Sequence, residues 1–323
     1  MKFNKIMAKI LINDNVHPIL WRTLEEAGFT CDIAPNLTYD EVLKIIGNYQ
    51  VLVVRSKINI DRNFIDNSLN LKCIARVGAG METIDVEYAE SRGIMCLNSP
   101  EGNRTAVGEH TLGLLLSLFN NIPQANFEVH KGLWQREENR GLEIAGKTIA
   151  IIGFGNMGSS FAKCLQGFDC NILAYDKYKT NYAPNYVKES TLQECFANAD
   201  VVSFHVPLTD ETRYYADEKF FKNFRKPIFL LNTSRGAVVK TSALAEVVKN
   251  GKVVGAALDV VEYENMAKDG LNISTLPKDF RYLISVKNVI FTPHVAGWTK
   301  ESKVKLAGVL AEKIVNTLKT NNL

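Results

Sequence analysis

The chain has 323 residues, 46% of them hydrophobic and 23% charged, and its 38 Lys and Arg against 35 Asp and Glu give a formal net charge of +3. Such a length implies about two domains, with cores large enough to need no disulfide or metal staple. The composition excludes a disordered or collagen-like chain, and the balanced charge gives no ground for nucleic-acid binding.

In chain order, Met1 to Lys5 lead into an apolar stretch broken by Lys9, Asn13 and Asp14, which argues against a signal peptide. A first strand is expected over 9–12 and a helix over 18–27, and the apolar runs 51–54 and 71–75 read as buried strands. From 105 to 120 the sequence TAVGEHTLGLLLSLFN is apolar around the whole helical wheel, as in a helix buried on most sides. Its longest apolar run, Leu112 to Phe119, is under half the ~20 residues of a membrane span. A polar stretch over 131–140 precedes a strand opening at Thr148, and strand-like segments recur at 170–175, 200–205, 228–232, 254–258 and 289–292. A helix mixed polar and apolar on all sides, 303–318, closes the chain. Short apolar runs alternating with helical patterns predict a parallel α/β architecture. Cysteines 31, 73, 96, 164, 170 and 195 form no CxxC pair and sit in apolar patterns, so buried free thiols in a reducing cytoplasm are expected, with no metal site.

Residues 147–158 read KTIAIIGFGNMG, a strand-like run into Gly153-x-Gly155-x-x-Gly158, followed by a helix-compatible segment. An acid, Asp176, ends the next strand 18 residues beyond Gly158. Strand, glycine turn, helix and distal acid together form a dinucleotide-binding fingerprint. Gly153 permits the tight turn, Gly155 lets the backbone approach a pyrophosphate, and Gly158 lets helix and strand pack closely. Asp176 suits the ribose hydroxyls and repels a 2′-phosphate, which favours NAD over NADP, although Lys177 and Lys179 lie close by. Three later segments, 232–236 (NTSRG), 258–264 (LDVVEYE) and 292–297 (TPHVAG), stand at strand ends, where an open parallel sheet presents its ligand crevice. They deliver Arg235, Glu264 and His294 to one place.

This ordered set resembles the D-isomer-specific 2-hydroxyacid dehydrogenase family. The resemblance spans roughly 51–299 and extends to Arg55-Ser56, to Arg76 through Gly80, to Gly102-Asn103 and to the HVPLT segment at 205–209. It implies a Rossmann NAD-binding domain at 105–292, inserted into a flavodoxin-like substrate domain built from 1–104 and 293–323. Both domains would be doubly wound parallel sheets. His294 would then be the general acid/base, Glu264 its partner and Arg235 the clamp on the substrate carboxylate. The cofactor would meet Gly153, Gly155, Asn156, Met157, Gly158, Asp176, His205, Pro207, Thr212, Thr233, Ser234, Asp259, His294 and Gly297. The substrate would meet Arg55, Ser56, Arg76, Gly78, Ala79, Gly80, Asn103 and Arg235. One departure is that the family acid is usually followed by proline, whereas Glu264 is followed by Asn265, which makes that loop less rigid.

The cations Arg55, Lys57, Arg76 and Arg104 suit a substrate carrying a phosphate as well as a carboxylate, and the Arg55-Ser56 and Arg76-x-Gly78 forms are similar to those of phosphoglycerate dehydrogenases. D-3-phosphoglycerate, and with it serine biosynthesis, is therefore favoured. A glyoxylate/hydroxypyruvate reductase is the alternative, and an NAD(H)-sensing binding protein of the same fold a remoter one. The chain ends soon after its last helix, so no regulatory domain is expected; the family implies a cytoplasmic homodimer. No nucleic-acid or membrane partner is expected.

Overall fold

The computed structural model describes residues 8–264 and 273–321. The first elements are β1 (Lys9–Ile12), α1 (Ile19–Glu26), β2 (Thr30–Ile33), α2 (Tyr39–Ile45), β3 (Val51–Val54), α3 (Arg62–Asp66), β4 (Cys73–Arg76), α4 (Val86–Ser91) and β5 (Met95–Asn98). Next come α5 (Arg104–Phe119), α6 (Ile122–His130), β6 (Thr148–Ile152), α7 (Asn156–Cys164), β7 (Asn171–Tyr175), β8 (Lys188–Glu189), α8 (Leu192–Asn198) and β9 (Val201–Phe204). The chain continues through α9 (Glu218–Lys222), β10 (Ile228–Asn232), α10 (Thr241–Lys249), β11 (Val253–Leu258), α11 (Lys278–Ser285), β12 (Val289–Phe291) and α12 (Lys300–Thr320). Two compact units result, Met1–Arg104 with Trp298–Leu323, and Thr105–Gly297.

The first unit is a parallel sheet in the order β2-β1-β3-β4-β5, the flavodoxin-like arrangement. Its central β3 reads VLVV and is buried at all four positions, the β-branched run that a strand covered on both faces requires. The C-terminal helix completes this unit's core. Leu306, Ala307, Leu310, Ala311, Ile314 and Leu318 join Ile10, Ile12, Leu20, Val51 and Cys73 in one cluster. These residues recur every three to four positions on α12, so the helix is amphipathic with one apolar stripe, not mixed on all sides. A Thr299–Ser302 capping box starts it, and Lys313 Nζ fastens it to Asn98 O at 2.9 Å and to the Glu101 carboxylate at 2.8 Å.

The second unit is a parallel sheet in the order β12-β11-β10-β9-β6-β7-β8. Numbered within the unit, this is the 3-2-1-4-5-6 order of dinucleotide-binding sheets with one further strand. Strand order reverses at β6, which pairs with both β7 and β9. The ligand crevice of such sheets lies at that switch point, outside the carboxyl ends of the strands. Helix α5 buries Ala106, Val107, Gly108, Thr111, Leu114, Leu115, Leu118 and Phe119, and its apolar side chains share a cluster with Ile149, Ile151 and Phe161.

β2, β5 and β8 have no counterpart among the strands expected from sequence. All three are partly or fully exposed and carry no continuous buried run. Residues 293–297, expected with the first unit, stay with the second. The backbone N–H groups of His294, Val295 and Ala296 are all bonded to Asp259, which follows β11. All six cysteines are free thiols, and burial pushes Cys73 and Cys195 up to about 12. Among the described residues no helix is long and apolar enough to cross a membrane.

Ile314→Ala should cost about 2–5 kcal/mol of unfolding free energy, because it opens a cavity where α12 meets the first sheet. A denaturant titration following the first unit would register it as a lower midpoint.

Candidate active site

The glycine turn joins β6 to α7. Gly153 adopts φ +91°, and a Cβ there would lie 2.6 Å from His205 O; a Cβ on Gly158 would meet Gly153 O at 2.1 Å. Those two glycines are demanded by the chain itself. Gly155 is not: nothing stands within 4 Å of the position its Cβ would take. It is the N-cap of α7, with no side-chain cap and no acid in the first turn, so the leading N–H groups at Asn156, Met157 and Gly158 and the positive end of the helix dipole remain available to an anion. Asp176 follows β7 and is nearly buried, with its side chain 12% exposed. Its carboxylate accepts from the N–H of Phe154, inside the glycine turn, at 3.0 Å and from that of Tyr178 at 3.1 Å. Opposite, His205 bonds Ser203 Oγ through Nε2 at 2.8 Å, while its Nδ1 is buried without a hydrogen-bond partner among the described residues. Burial drives its pKa down to about 3, so it is a neutral imidazole. An open cradle at Gly155, an uncapped helix start and an orphaned buried nitrogen together fit a bound dinucleotide.

Arg235, Glu264 and His294 all lie in the second unit. His294 Nδ1 is 2.9 Å from Glu264 Oε2. A carboxylate only accepts, so Nδ1 carries hydrogen and Nε2 is the nitrogen that exchanges a proton. The bond from Glu264 raises the pKa of His294 above its ordinary value, against burial and against the nearby Arg235 guanidinium, which both oppose protonation. Glu264 Oε1 also accepts from Val261 N at 3.1 Å, which folds its loop back on itself. Arg235 Nη1 donates to Ser234 O at 2.7 Å, and buried Asn232 shapes the turn by donating to Arg235 O and accepting from Ser234 N and Oγ. Thr233 Oγ1 meets Thr111 Oγ1 of α5 at 3.0 Å, and Pro207 O accepts from Thr212 Oγ1 at 2.6 Å. Gly297 ends the unit.

His294 has a left-handed backbone, φ +54°, which a non-glycine residue holds only when its surroundings insist. Asp259 supplies the insistence. It is 1% exposed; its carbonyl accepts from His294 N at 2.9 Å, Oδ1 from Val295 N at 2.9 Å and Thr292 Oγ1 at 2.6 Å, and Oδ2 from Ala296 N at 2.9 Å. Burial pushes its carboxyl upward, but His110, Thr292 and the two N–H groups outweigh burial and hold it below the usual range. Asp259 thereby places the His294 loop. His110, on α5, bonds Thr292 Oγ1 at 3.1 Å and lies 3.5 Å from Asp259.

Apart from Arg235, the expected substrate residues lie in the first unit. Arg55 and Ser56 follow β3, and their N–H groups donate to Asp14 Oδ2 at 3.0 and 3.2 Å. The Arg55 guanidinium lies 4.1 Å from the ring centroid of Trp298, a residue the motifs passed over. Arg76 ends β4 and bends over its own turn, so a Cβ on Gly78 would lie 2.7 Å from its guanidinium. The carbonyls of Gly78 and Ala79 accept from Ser99 N and Asn98 Nδ2, which fixes the loop leading to Gly80. Asn103 precedes α5, with a buried Oδ1. Asn265 lies outside the described residues.

Residues 112–296 match the model of the family described as D-isomer specific 2-hydroxyacid dehydrogenase, NAD binding domain. The chain is 36% identical over 320 residues to a D-3-phosphoglycerate dehydrogenase of Methanocaldococcus jannaschii, covering 97% of this chain and 58% of that relative, so it spans little more than half of the relative's length. It is 37% identical over 287 residues to a hydroxypyruvate reductase of Thermotoga maritima, covering 88% of this chain and 89% of the relative. A solved D-lactate dehydrogenase from Aquifex aeolicus, complexed with NAD and lactic acid, superposes with a TM-score of 0.79 at 25% identity, over 96% of this chain and 94% of that one.

Replacing Glu264 by Gln removes the carboxylate charge that favours the imidazolium. NMR titration of His294 should therefore show its pKa falling. In the native chain the raised pKa stabilises the folded state below the ordinary imidazole value, and that contribution is lost as pH climbs through the raised one.

Proposed function

The chain belongs to the D-isomer-specific 2-hydroxyacid dehydrogenase family, and we propose that it interconverts a D-2-hydroxy acid and the matching 2-oxo acid. The 2.9 Å bond between His294 and Glu264, in the same unit as the dinucleotide cradle, carries this proposal. Bound nicotinamide supplies or accepts the hydride. His294 gives the proton on Nε2 to the carbonyl oxygen during reduction and takes the hydroxyl proton during oxidation. Glu264 keeps the ring in one tautomer and offsets the opposing Arg235 charge. Arg235 pairs its planar fork of donors with the substrate carboxylate and polarises the carbonyl beside it.

Within this chemistry D-3-phosphoglycerate and 3-phosphohydroxypyruvate are the favoured pair, which gives the protein a place in serine biosynthesis. In support, Arg55 and Arg76 stand at the carboxyl ends of β3 and β4, and Arg55 is held against Trp298. Asp85 and Glu101, two acids of the same unit, are paired with Arg62 and Lys313. Arg55, Ser56, Arg76, Gly78, Ala79, Gly80 and Asn103 are assigned to the substrate's anionic groups on this basis. Hydroxypyruvate reduction is the second reading, favoured by the Thermotoga maritima relative, of which the chain covers 89%. Six free thiols suit a reducing cytoplasm. A homodimer through α6 accounts for the exposed Ile122, Phe127, Val129, Leu133 and Trp134, gathered on that helix and the segment after it.

NADH oxidation with 3-phosphohydroxypyruvate, hydroxypyruvate, glyoxylate, pyruvate and 2-oxoglutarate tests both levels. The highest kcat/KM is expected with 3-phosphohydroxypyruvate. Turnover of unphosphorylated acids alone would remove the phosphoglycerate assignment, and no turnover by a chain that binds NADH would remove the activity. His294→Ala should lower kcat by roughly 10²–10⁴-fold, the loss expected for a general acid/base.

A further inference from the structure

Glu211 lies in the loop after β9, which is braced by Thr212 Oγ1 donating to Pro207 O at 2.6 Å and accepting from Thr209 N at 2.8 Å. Its carboxylate takes two partners, the Lys177 ammonium and the Tyr178 hydroxyl. Both belong to the segment directly after Asp176, the acid that faces the ribose in sheets of this kind. Lys179, in the same segment, is 3.9 Å from Asp176 Oδ2 and donates to Phe154 O at 2.8 Å. The 176–179 stretch thus contains two ammonium groups and a phenol, the donors that bind a phosphate dianion, yet each is already engaged by the chain.

We propose that Glu211 is a specificity-determining residue. Together with Asp176 it excludes a phosphorylated adenosine ribose by withholding Lys177, whose ammonium would otherwise meet the added phosphate. The proposal rests on the dinucleotide reading of β6 and α7. The two acids differ in what else they do. Asp176 accepts from Phe154 N inside the glycine turn, so removing it loosens the pyrophosphate cradle as well as the ribose site. Among the described residues Glu211 bonds Lys177 and Tyr178 and not that turn. Cofactor preference can therefore be altered at Glu211 while the cradle is left intact.

The test compares the full chain with Glu211→Gln and with Glu211→Gln/Lys177→Ala, measuring NADH and NADPH dissociation constants by nicotinamide fluorescence at low and high salt. Glu211→Gln should improve NADPH relative to NADH by roughly three- to ten-fold at low salt, the scale of a single partly exposed charge. That gain should shrink at high salt and vanish in the double variant. An unchanged NADPH to NADH ratio in a chain that binds NADH, or a gain that survives the loss of Lys177, would overturn the Glu211 assignment alone. A native chain that binds neither dinucleotide would overturn both that assignment and the dinucleotide reading.

Discussion

Burying the Asp259 carboxylate at 1% exposure obliges the chain to supply the hydrogen bonds that water would otherwise make. It does so with the loop after β12. Val295 N, Ala296 N and Thr292 Oγ1 converge on the two oxygens, and His294 N reaches the Asp259 carbonyl. With four bonds to one residue the loop has little freedom left, and the left-handed His294 backbone is the form that satisfies them. The ring then meets Glu264 at 2.9 Å. A buried carboxylate thus determines where the His294 imidazole stands.

The dinucleotide half of the second unit follows the same logic at the other side of the switch point. Asp176 is tied to the glycine turn through Phe154 N, as Asp259 is tied to the histidine loop. Each acid holds a loop at the carboxyl end of a strand, and each places a group that the strand alone would leave mobile. The rigid parts are the sheet and its helices; function sits on loops whose freedom has been removed by buried or half-buried acceptors.

What was legible in the sequence divides along physical lines. Val51–Val54 and Thr148–Ile152 could be read as strands because central parallel strands need continuous apolar runs. Thr30–Ile33 and Met95–Asn98 could not, since strands at a sheet margin bury little and carry mixed residues. The glycine turn was legible because its constraints are local. Arg235, Glu264 and His294 were legible as an ordered set, because strand ends in such a sheet share one side. Pairings set by strand order rather than by sequence distance were not. Lys177 and Glu211 are 34 residues apart, and His110 and Thr292 are 182 apart; neither spacing has meaning until β6, β7 and β9 to β12 lie side by side. The Asp259 bonds escaped for a different reason, since their donors are mostly backbone N–H groups that every residue possesses.

If the Glu264-held imidazole of His294 donates the proton in 2-oxo acid reduction, the pH dependence of kcat/KM reports its pKa. In the native chain, NADH-dependent reduction should fall as pH rises through the His294 pKa, and in Glu264→Gln the same break should appear at lower pH. A break that stays at one pH in both proteins would contradict the account, because the proton would then come from a group that Glu264 does not touch.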